Sequence, residues 1–378
     1  MSFITITKED VSSDGTIDHI DIESNTVIYC RDCPNLTKLP LWPNIREVYC
    51  RDCPGLTKLP LWPDIRIINC NYCLNLTELP LWPNIREVYC HGCQNLTKLP
   101  LWPNITNIDC SDLQNLTELP LWPNITNVYC ENCSNLTELP LWINIIEVIC
   151  YGCPSLTELP LWSDIRIINC GNCLSLTELP LWSKVEKVNC QLCLNLIELP
   201  LWPTVKAVYC NDCRSLTKLP LWPNITRINC YNCLGLTELP LWPTVEEVYC
   251  YNCPGLTELP LWPNIINVDC DNCRSLTELP LWPNIKVVYC RDCLGLTELP
   301  SWPTTVIIYH NIKQNQKFLI DNNQKLHGSC LICYIETKLI KCNTCSLCIC
   351  KNCINNWHIV NNDNKCMQCK QIFNKQKN

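Results

Sequence analysis

A cysteine stands at every twentieth residue from Cys30 to Cys290, fourteen times without a break. A tryptophan keeps the same spacing from Trp42 to Trp302. A chain with an unbroken period of this length folds as a stack of equivalent turns, because each turn can bury its apolar side only against its neighbours. A chain of 378 residues would ordinarily hold two or three domains, but residues 25–312 are therefore predicted to form one elongated solenoid.

The apolar residues of each turn follow one pattern, which the second turn shows as Ile45, Val48, Cys50, Cys53 and Leu56. Written as LxxLxLxxCxxL, this pattern resembles the conserved segment of leucine-rich repeats. The resemblance implies a β-solenoid of 14 to 15 repeats with a parallel sheet on its concave face; in the last, degenerate repeat His310 replaces the cysteine. The alternation in V-x-C predicts a short strand, 47–51 in the second turn. The L-P-L-W-P-N segment has two prolines in four positions, which excludes an α-helix and predicts extended or 3₁₀ segments on the convex side.

Residues 1–24 do not follow the period and are predicted to cap the first repeat, with Ile20 and Ile22 in an edge strand. The first ten residues contain no apolar run of signal-peptide length, since Lys8 begins a charged stretch. The chain is therefore expected in the cytoplasm with its cysteines reduced. No apolar stretch is long enough to cross a membrane.

Thirteen C-x-x-C pairs occur within the repeats, and they could be metal ligands or core residues. We interpret them as small hydrophobic core residues, because Leu113 replaces the second cysteine in one repeat, which a core tolerates and a ligand set does not. The repeated tryptophan is likewise interpreted as core packing rather than as a ligand platform. The rival hypothesis, metal storage by the repeat cysteines, predicts far more than two zinc ions per chain.

Tyrosines recur at the outward strand position next to the repeat cysteine. They are Tyr49, Tyr89, Tyr129, Tyr209, Tyr249 and Tyr289. Asparagine and other hydrogen-bonding residues fill most of the remaining outward positions, so this concave stripe has the composition of a protein-binding surface. The alternative is a solvated polar ladder. The repeats contain no paired carboxylates, no nucleophile with a base and no phosphate-binding glycine loop, so no catalytic residues are predicted.

The C-terminal region holds a second cysteine pattern. Four C-x2-C pairs occur in fewer than fifty residues, and they are Cys330 and Cys333, Cys342 and Cys345, Cys350 and Cys353, and Cys366 and Cys369. Eight thiolates suffice for two tetrahedral Zn²⁺ sites, and metal binding would supply ~10 kcal/mol or more per site to a segment with little core. The predicted bounds are 313–328 for a linker, 329–373 for the zinc module and 374–378 for a tail.

The spacing of these pairs resembles the RING finger family, in an all-cysteine variant with a small α+β fold. The resemblance implies interleaved ligation, in which Cys330, Cys333, Cys350 and Cys353 hold one zinc ion. Cys342, Cys345, Cys366 and Cys369 would hold the other. Cys348 could replace Cys342, although only Ile349 would then separate it from Cys350.

RING fingers typically act as ubiquitin ligases, so the resemblance implies residues that dock a ubiquitin-conjugating enzyme. Ile332 and Trp357 match the docking positions, and Lys370 matches the basic residue that braces ubiquitin. Met367 departs from the family, which usually has proline there. The combination resembles effector-type ligases and ligases of large DNA viruses, for which the compartment would be the host cytoplasm.

The sequence thus predicts a RING-type ubiquitin ligase whose repeats bind a protein substrate. The alternative is a protein-binding scaffold with a structural zinc domain. Nucleic-acid binding is disfavoured, because the first 312 residues carry a net charge near −14 and no aromatic residues interleave with the ten lysines of residues 313–378.

Overall fold

The computed structural model describes residues 2–20, 26–311, 327–329, 336–341 and 348–350. Sixteen strands form one sheet in which spatial order follows chain order. β1 is Ser2–Ile6 and is followed by a 3₁₀ helix at Lys8–Asp10. The next strands recur every 20 residues: β2 Thr26–Cys30, β3 Glu47–Tyr49, β4 Ile67–Asn69, β5 Glu87–Tyr89, β6 Asn107–Asp109, β7 Asn127–Tyr129, β8 Glu147–Ile149, β9 Ile167–Asn169, β10 Lys187–Asn189, β11 Ala207–Tyr209, β12 Arg227–Asn229, β13 Glu247–Tyr249, β14 Asn267–Asp269, β15 Val287–Tyr289 and β16 Ile307–Tyr309.

Neighbouring strands are parallel, and from β2 onward each residue pairs with the one 20 positions later, as Val48 does with Ile68. The prediction of a parallel β-solenoid with a 20-residue period is confirmed, and the turns are consistent with leucine-rich repeats. The segment between Leu56 and Ile65 contains no regular helix or strand. The return half of the repeat is therefore extended with tight turns, which agrees with the prediction of extended rather than 3₁₀ segments.

The strands from β3 to β15 are three residues long, shorter than predicted, and each ends one residue before the repeat cysteine. A turn follows immediately, in which the Cys73 amide donates to the Cys70 carbonyl at 3.1 Å and Tyr72 has φ of 58°. This left-handed position resembles the third residue of a type II turn. Asp, Asn or Gly occupies it in twelve of fourteen repeats, with Tyr72 and Leu192 as the exceptions. These residue types tolerate positive φ, which explains why the strand stops there.

The tryptophans form a continuous stack through the core. Thirteen neighbouring indole pairs have ring centroids 5.8–6.5 Å apart, with planes within 12° of parallel. Each indole N–H from Trp62 to Trp282 donates to a proline carbonyl of the preceding turn, as Trp62 does to Pro40 at 3.0 Å. Burial of the rings confirms that the repeated tryptophan is a core residue.

The cysteines of the repeats are also core residues, as predicted. All twenty-seven are buried and unpaired, and Leu113 is equally buried at the position where it replaces a cysteine. The second cysteine has a further role, because its thiol donates to the carbonyl of the first cysteine in the preceding turn. Cys53 donates to Cys30 at 2.9 Å and Cys73 to Cys50 at 2.9 Å. Among the residues that the structure describes, no three or more potential ligands are grouped as a metal site.

β1 covers the first repeat by pairing in parallel with β2. The prediction placed this edge strand at Ile20 and Ile22; Ile20 lies outside any strand and packs half-buried against the core, and Ile22 is outside the described residues. Ile6 and Ile17 supply the buried side of the cap.

The chain divides into two compact units, residues 1–314 and 315–378. In the second unit, β17 His327–Ser329, β18 Glu336–Lys341 and β19 Cys348–Cys350 form an antiparallel three-stranded sheet. Seven of the eight predicted zinc ligands lie outside the described residues, as do Ile332, Trp357 and Lys370, so the zinc module and its bounds stay predictions. No helix in the described ranges has the length and apolar character needed to span a membrane.

Candidate protein-binding face

The outward side chains of the strands form what we call the outer sheet face, made of the first and third residue of each strand from β3 to β15. The middle residue, such as Val48, is buried in the core, while its neighbours are partly exposed. All six predicted tyrosines are third residues of a strand and are partly exposed. The sequence thus located them correctly, because a strand with one buried side presents every second residue to the other side.

The six tyrosines do not stand on neighbouring strands. They form two groups of three, with one group from Tyr49 to Tyr129 and the other from Tyr209 to Tyr289. Within each group, a strand with a polar third residue separates successive tyrosines, as Asn69 separates Tyr49 from Tyr89. Three successive strands without tyrosine divide the two groups, and their third residues are Ile149, Asn169 and Asn189. With ~4.8 Å between strands, tyrosines within a group are about 10 Å apart, and the gap between groups is about 19 Å.

Glutamates fix the hydroxyl groups of four of these tyrosines. Tyr89 donates to the Glu87 carboxylate at 2.8 Å and Tyr249 to Glu247 at 3.0 Å. Tyr49 donates to Glu47 at 3.2 Å in the same way, whereas Tyr129 reaches Glu147 on the next strand at 3.1 Å. These hydrogen bonds hold the rings in one orientation before any partner binds, which lowers the entropy lost on binding.

Burial raises the pKa of the Tyr49 hydroxyl to about 12, and the Glu47 carboxylate adds to the effect. Burial also raises the pKa of Tyr89, Tyr129 and Tyr249, and the glutamate beside each hydroxyl adds a smaller effect. Each hydroxyl therefore remains a neutral hydrogen-bond donor at physiological pH.

Cations accompany the other two tyrosines. The Lys187 ammonium lies 5.6 Å from the ring centre of Tyr209, and the Arg291 guanidinium lies 5.9 Å from that of Tyr289. Both distances are within the range of cation–π attraction. The C-terminal part of the outer sheet face therefore combines aromatic, cationic and acidic groups, whereas glutamates alone accompany the three tyrosines of the N-terminal part.

Sequence analysis missed three stacked tyrosine pairs. Tyr29 stacks on Tyr49 at 4.9 Å, and Tyr289 stacks on Tyr309 at 4.5 Å between ring centres. The third pair lies in the turns that follow the strands, where Tyr231 and Tyr251 are 4.3 Å apart. The signal was present in the period: Tyr29 and Tyr309 occupy the same repeat position as the six predicted tyrosines.

The chemistry of this face is that of recognition. Its groups are phenols, amides and charged side chains that donate, accept or stack. The thiols of the repeats are buried beneath it, and burial raises the pKa of Cys133 and of Cys290 to about 12. The Cys133 and Cys290 thiols are therefore protonated, weak nucleophiles at neutral pH.

No protein-family model and no curated protein matches the chain. Among solved structures it is similar to a leucine-rich repeat protein from Bacteroides ovatus, with 15% identity over 82% of this chain and 83% of that one and a TM-score of 0.46. A leucine rich cell surface protein from Faecalibacterium prausnitzii matches with 13% identity over 86% and 87% of the two chains and a TM-score of 0.34. TLR13, in a complex with ssRNA13, matches with 14% identity over 80% and 60% and a TM-score of 0.24. The repeat fold is shown by the parallel strands and 20-residue register of the chain itself.

Proposed function

We propose that the repeats bind a protein through the outer sheet face, and that the C-terminal cysteine module binds two zinc ions and recruits a ubiquitin-conjugating enzyme. The chain would then be a RING-type ubiquitin ligase that forms no covalent intermediate. It would act by holding a charged conjugating enzyme beside a substrate lysine, which raises the effective concentration of the reacting groups.

The observation that carries the protein-binding part is the set of tyrosines held by neighbouring charged groups on one face. Tyr89 and Tyr249 present partly exposed rings whose hydroxyls are already hydrogen-bonded to Glu87 and Glu247. Tyrosine is enriched, with tryptophan and arginine, among the residues that dominate the binding energy of protein interfaces, and preorganisation lowers the entropy lost on binding. The thirteen strands from β3 to β15, at ~4.8 Å spacing, extend this face over about 60 Å, which is the scale of a folded partner.

The ligase part rests on the sequence of residues 330–370, where four C-x2-C pairs, Ile332, Trp357 and Lys370 match the RING pattern. The zinc ions would hold the module folded, and Ile332 and Trp357 would provide the apolar contact for the conjugating enzyme. The chemistry of transfer would belong to that enzyme and its thioester.

The ligase proposal is tested with the full-length, zinc-loaded chain, ubiquitin, activating enzyme and a panel of conjugating enzymes. Formation of ubiquitin chains is expected, together with their loss in Trp357→Ala and in Cys366→Ala. Two further variants form a matched pair: Cys342→Ala should lose zinc and activity, whereas Cys348→Ala should keep both. The reverse result for this pair would move the second zinc site to Cys348.

A separate experiment addresses the outer sheet face. Tyr89→Ala combined with Tyr129→Ala should leave self-ubiquitination unchanged but remove specific modified proteins from an extract of cells that express the ligase. The matched control is Leu174→Gln with Leu234→Gln, which alters exposed side chains away from that face. If the tyrosine and control variants modify the same proteins, this face is not the substrate site.

A protein-binding scaffold with a structural zinc domain is the second candidate, and Met367 favours it because RING fingers usually have proline there. A chain that holds two zinc ions but is inactive with every conjugating enzyme would support the scaffold.

A further inference from the structure

Thirteen leucines on the return half of the turns are exposed, although the surrounding sequence is apolar. They occupy one position in thirteen successive turns: Leu41, Leu61, Leu81, Leu101, Leu121, Leu141, Leu161, Leu181, Leu201, Leu221, Leu241, Leu261 and Leu281. Their exposed fractions lie between 56% and 66%. We call this row the leucine ladder. Soluble monomers rarely expose an apolar row of this length without a binding role.

The backbone turns each of these leucines outward. The Trp162 amide donates to the Pro160 carbonyl at 3.0 Å, two residues earlier, so Leu161 is the central residue of a γ-turn. The side chains of Leu159 and Trp162 on either side are buried in the core. The exposure is therefore built into every turn.

A row of glutamates runs beside the central part of the leucine ladder. Five successive turns place an exposed glutamate three residues before the leucine, at Glu118, Glu138, Glu158, Glu178 and Glu198. Three residues span at most about 10 Å, so the two rows lie close together. Within the described residues none of the five forms an ion pair.

The spacing along the ladder matches an α-helix better than a β-strand. Hydrogen-bonded strands set ~4.8 Å between turns, and the adjacent indoles of Trp122 to Trp202 in the core have ring centroids 6.1–6.3 Å apart. A helix has a pitch of ~5.4 Å, within these limits, whereas side chains on one face of a strand are ~6.7 Å apart. A helix can thus place one side chain per turn between successive leucines.

We infer that the leucine ladder and its glutamates, from Glu118 to Leu201, form a docking site for an amphipathic helix of a partner protein. The apolar side of that helix packs on the leucines, and lysine or arginine along one edge pairs with the glutamates. Five turns of the solenoid extend about 19–24 Å, the length of a helix of about fifteen residues. A helix is ~10 Å wide, enough to cover both rows.

Charge favours a basic helix over two other possible partners, a second copy of the chain and a lipid surface. A second copy of the chain could bring at most three cations to the five glutamates, at Lys38, Lys58 and Lys98, and that stretch would add Glu78 between them, while the repeats are already acidic. A lipid surface would leave the glutamates unmatched, and anionic headgroups would repel them. A basic amphipathic helix satisfies both rows at once. The site is independent of the proposed ligase function, since it uses neither the outer sheet face nor the cysteine module.

The test uses synthetic helical peptides of about eighteen residues and the full-length chain. The probe peptide has leucine along one face and lysine along its edge. One control peptide replaces every lysine with glutamate, and another replaces the leucines with glutamine. Fluorescence anisotropy should show binding of the probe peptide alone, weakened as the salt concentration rises because ion pairs contribute.

Variants of the chain then locate the site. Leu141→Gln, Leu161→Gln and Leu181→Gln together should weaken binding about tenfold or more, and so should Glu138→Gln, Glu158→Gln and Glu178→Gln together. The matched control, Leu174→Gln, Leu194→Gln and Leu234→Gln, changes three exposed leucines at another position of the turn and should leave binding unchanged. Circular dichroism and thermal unfolding of each variant show whether the fold is intact.

Other outcomes would overturn the proposal. Equal losses in the test and control variants would mean that the peptide binds nonspecifically. Dimerisation of the chain in analytical ultracentrifugation that disappears in the leucine-ladder variant would assign the ladder to a second copy. Binding to phosphatidylcholine vesicles that disappears in the same variant would assign it to a lipid surface.

Discussion

The residue that follows each repeat cysteine by two positions adopts a left-handed backbone conformation, which strains most residue types. Asp, Asn and Gly tolerate positive φ, but Leu192 adopts φ of 60° with a branched side chain. Its neighbours in the row, Asn172 and Asp212, are residues suited to that conformation. Farther along the same row, the Asn272 side-chain amide donates to Asn252 at 2.7 Å and that of Asn232 to Asp212 at 2.8 Å. These side-chain hydrogen bonds form a continuous ladder from Asp212 to Asn272, and Leu192 stands immediately before it in the row.

We expect Leu192→Asn to stabilise the protein by about 1 kcal/mol, because asparagine tolerates the left-handed conformation and can join the ladder. The converse change, Asn252→Leu, should destabilise it by a similar or larger amount. Thermal unfolding of both variants checks this, with Leu194→Asn as the control at an exposed leucine that lacks positive φ. A lower unfolding temperature for Leu192→Asn would contradict the explanation.

The buried thiols predict the pH dependence of stability. Burial raises the pKa of Cys133 and Cys290 to about 12, from an ordinary value of 9.0. Below pH 9 these thiols are protonated in both the folded and the unfolded chain, so they do not change the free energy of unfolding with pH. Between pH 9 and 12 only the unfolded chain loses the protons, which favours unfolding. Stability is therefore lost as pH rises through this window.

We expect the unfolding temperature, measured in a reducing buffer, to be nearly constant from pH 7 to about 8.5 and to fall steeply above pH 9. Burial also raises the pKa of other repeat cysteines, such as Cys110, so the fall should be steeper than a single group would give. An unfolding temperature that does not change up to pH 11 would show that these thiols are not protected by burial.

At the scale of elements, the period alone was enough to predict the sheet. An unbroken 20-residue repeat forces each strand residue to pair with its equivalent in the next turn, as Glu47 does with Ile67. The cap lies outside the period, so nothing in the pattern distinguished Ser2–Ile6 from the stretch around Ile20. The edge strand was therefore placed incorrectly, although the need for a cap was predicted.

The surface of the turns was predicted less well than its core. Sequence analysis predicted extended or 3₁₀ segments for L-P-L-W but not which of its residues are exposed, and the γ-turn at Leu161 turns one apolar residue per repeat outward. Hydrophobic periodicity cannot reveal such a turn, because it depends on a backbone hydrogen bond between Pro160 and Trp162. The tyrosines were located correctly, whereas their glutamate partners depend on side-chain orientation and were missed.

The tryptophan stack predicts a difference between central and terminal turns. Trp162 lies between two indoles and its N–H donates to Pro140, so Trp162→Ala should cost about 3–5 kcal/mol. Within the described residues Trp302 stacks on one indole, that of Trp282, is 8% exposed, and has an indole N–H without a hydrogen-bond partner. Trp302→Ala should therefore cost clearly less. Urea unfolding of the two variants measures this difference.

The same pair of variants tests whether the turns unfold as one unit. Stability in a solenoid depends on contacts between nearest neighbours, so a break in the middle uncouples the two halves. We expect Trp162→Ala to unfold in a broad or two-step transition and Trp302→Ala in one step. Identical, single transitions would mean that the turns are coupled more strongly than nearest-neighbour contacts imply.

The whole molecule contains two populations of cysteine that differ in chemistry. Twenty-seven are buried in the repeats, and the remaining nine of the 36 lie between Cys330 and Cys369. A thiol inside a packed core reacts only when the fold opens. A thiolate bound to zinc reacts only when the metal is removed. Thiol titration can therefore separate the two populations and count the zinc ions.

We expect three stages when the reduced, zinc-loaded chain is titrated with a thiol reagent at pH 7.5. At most one thiol, Cys348, should react at first. A chelator should then release two zinc ions per chain and expose the other eight C-terminal cysteines, and denaturant should expose the twenty-seven of the repeats. The Cys348→Ala variant should lose only the first stage. More than nine reactive thiols before denaturation, or more than two zinc ions, would instead favour metal storage by the repeats, because buried core thiols can contribute to neither count.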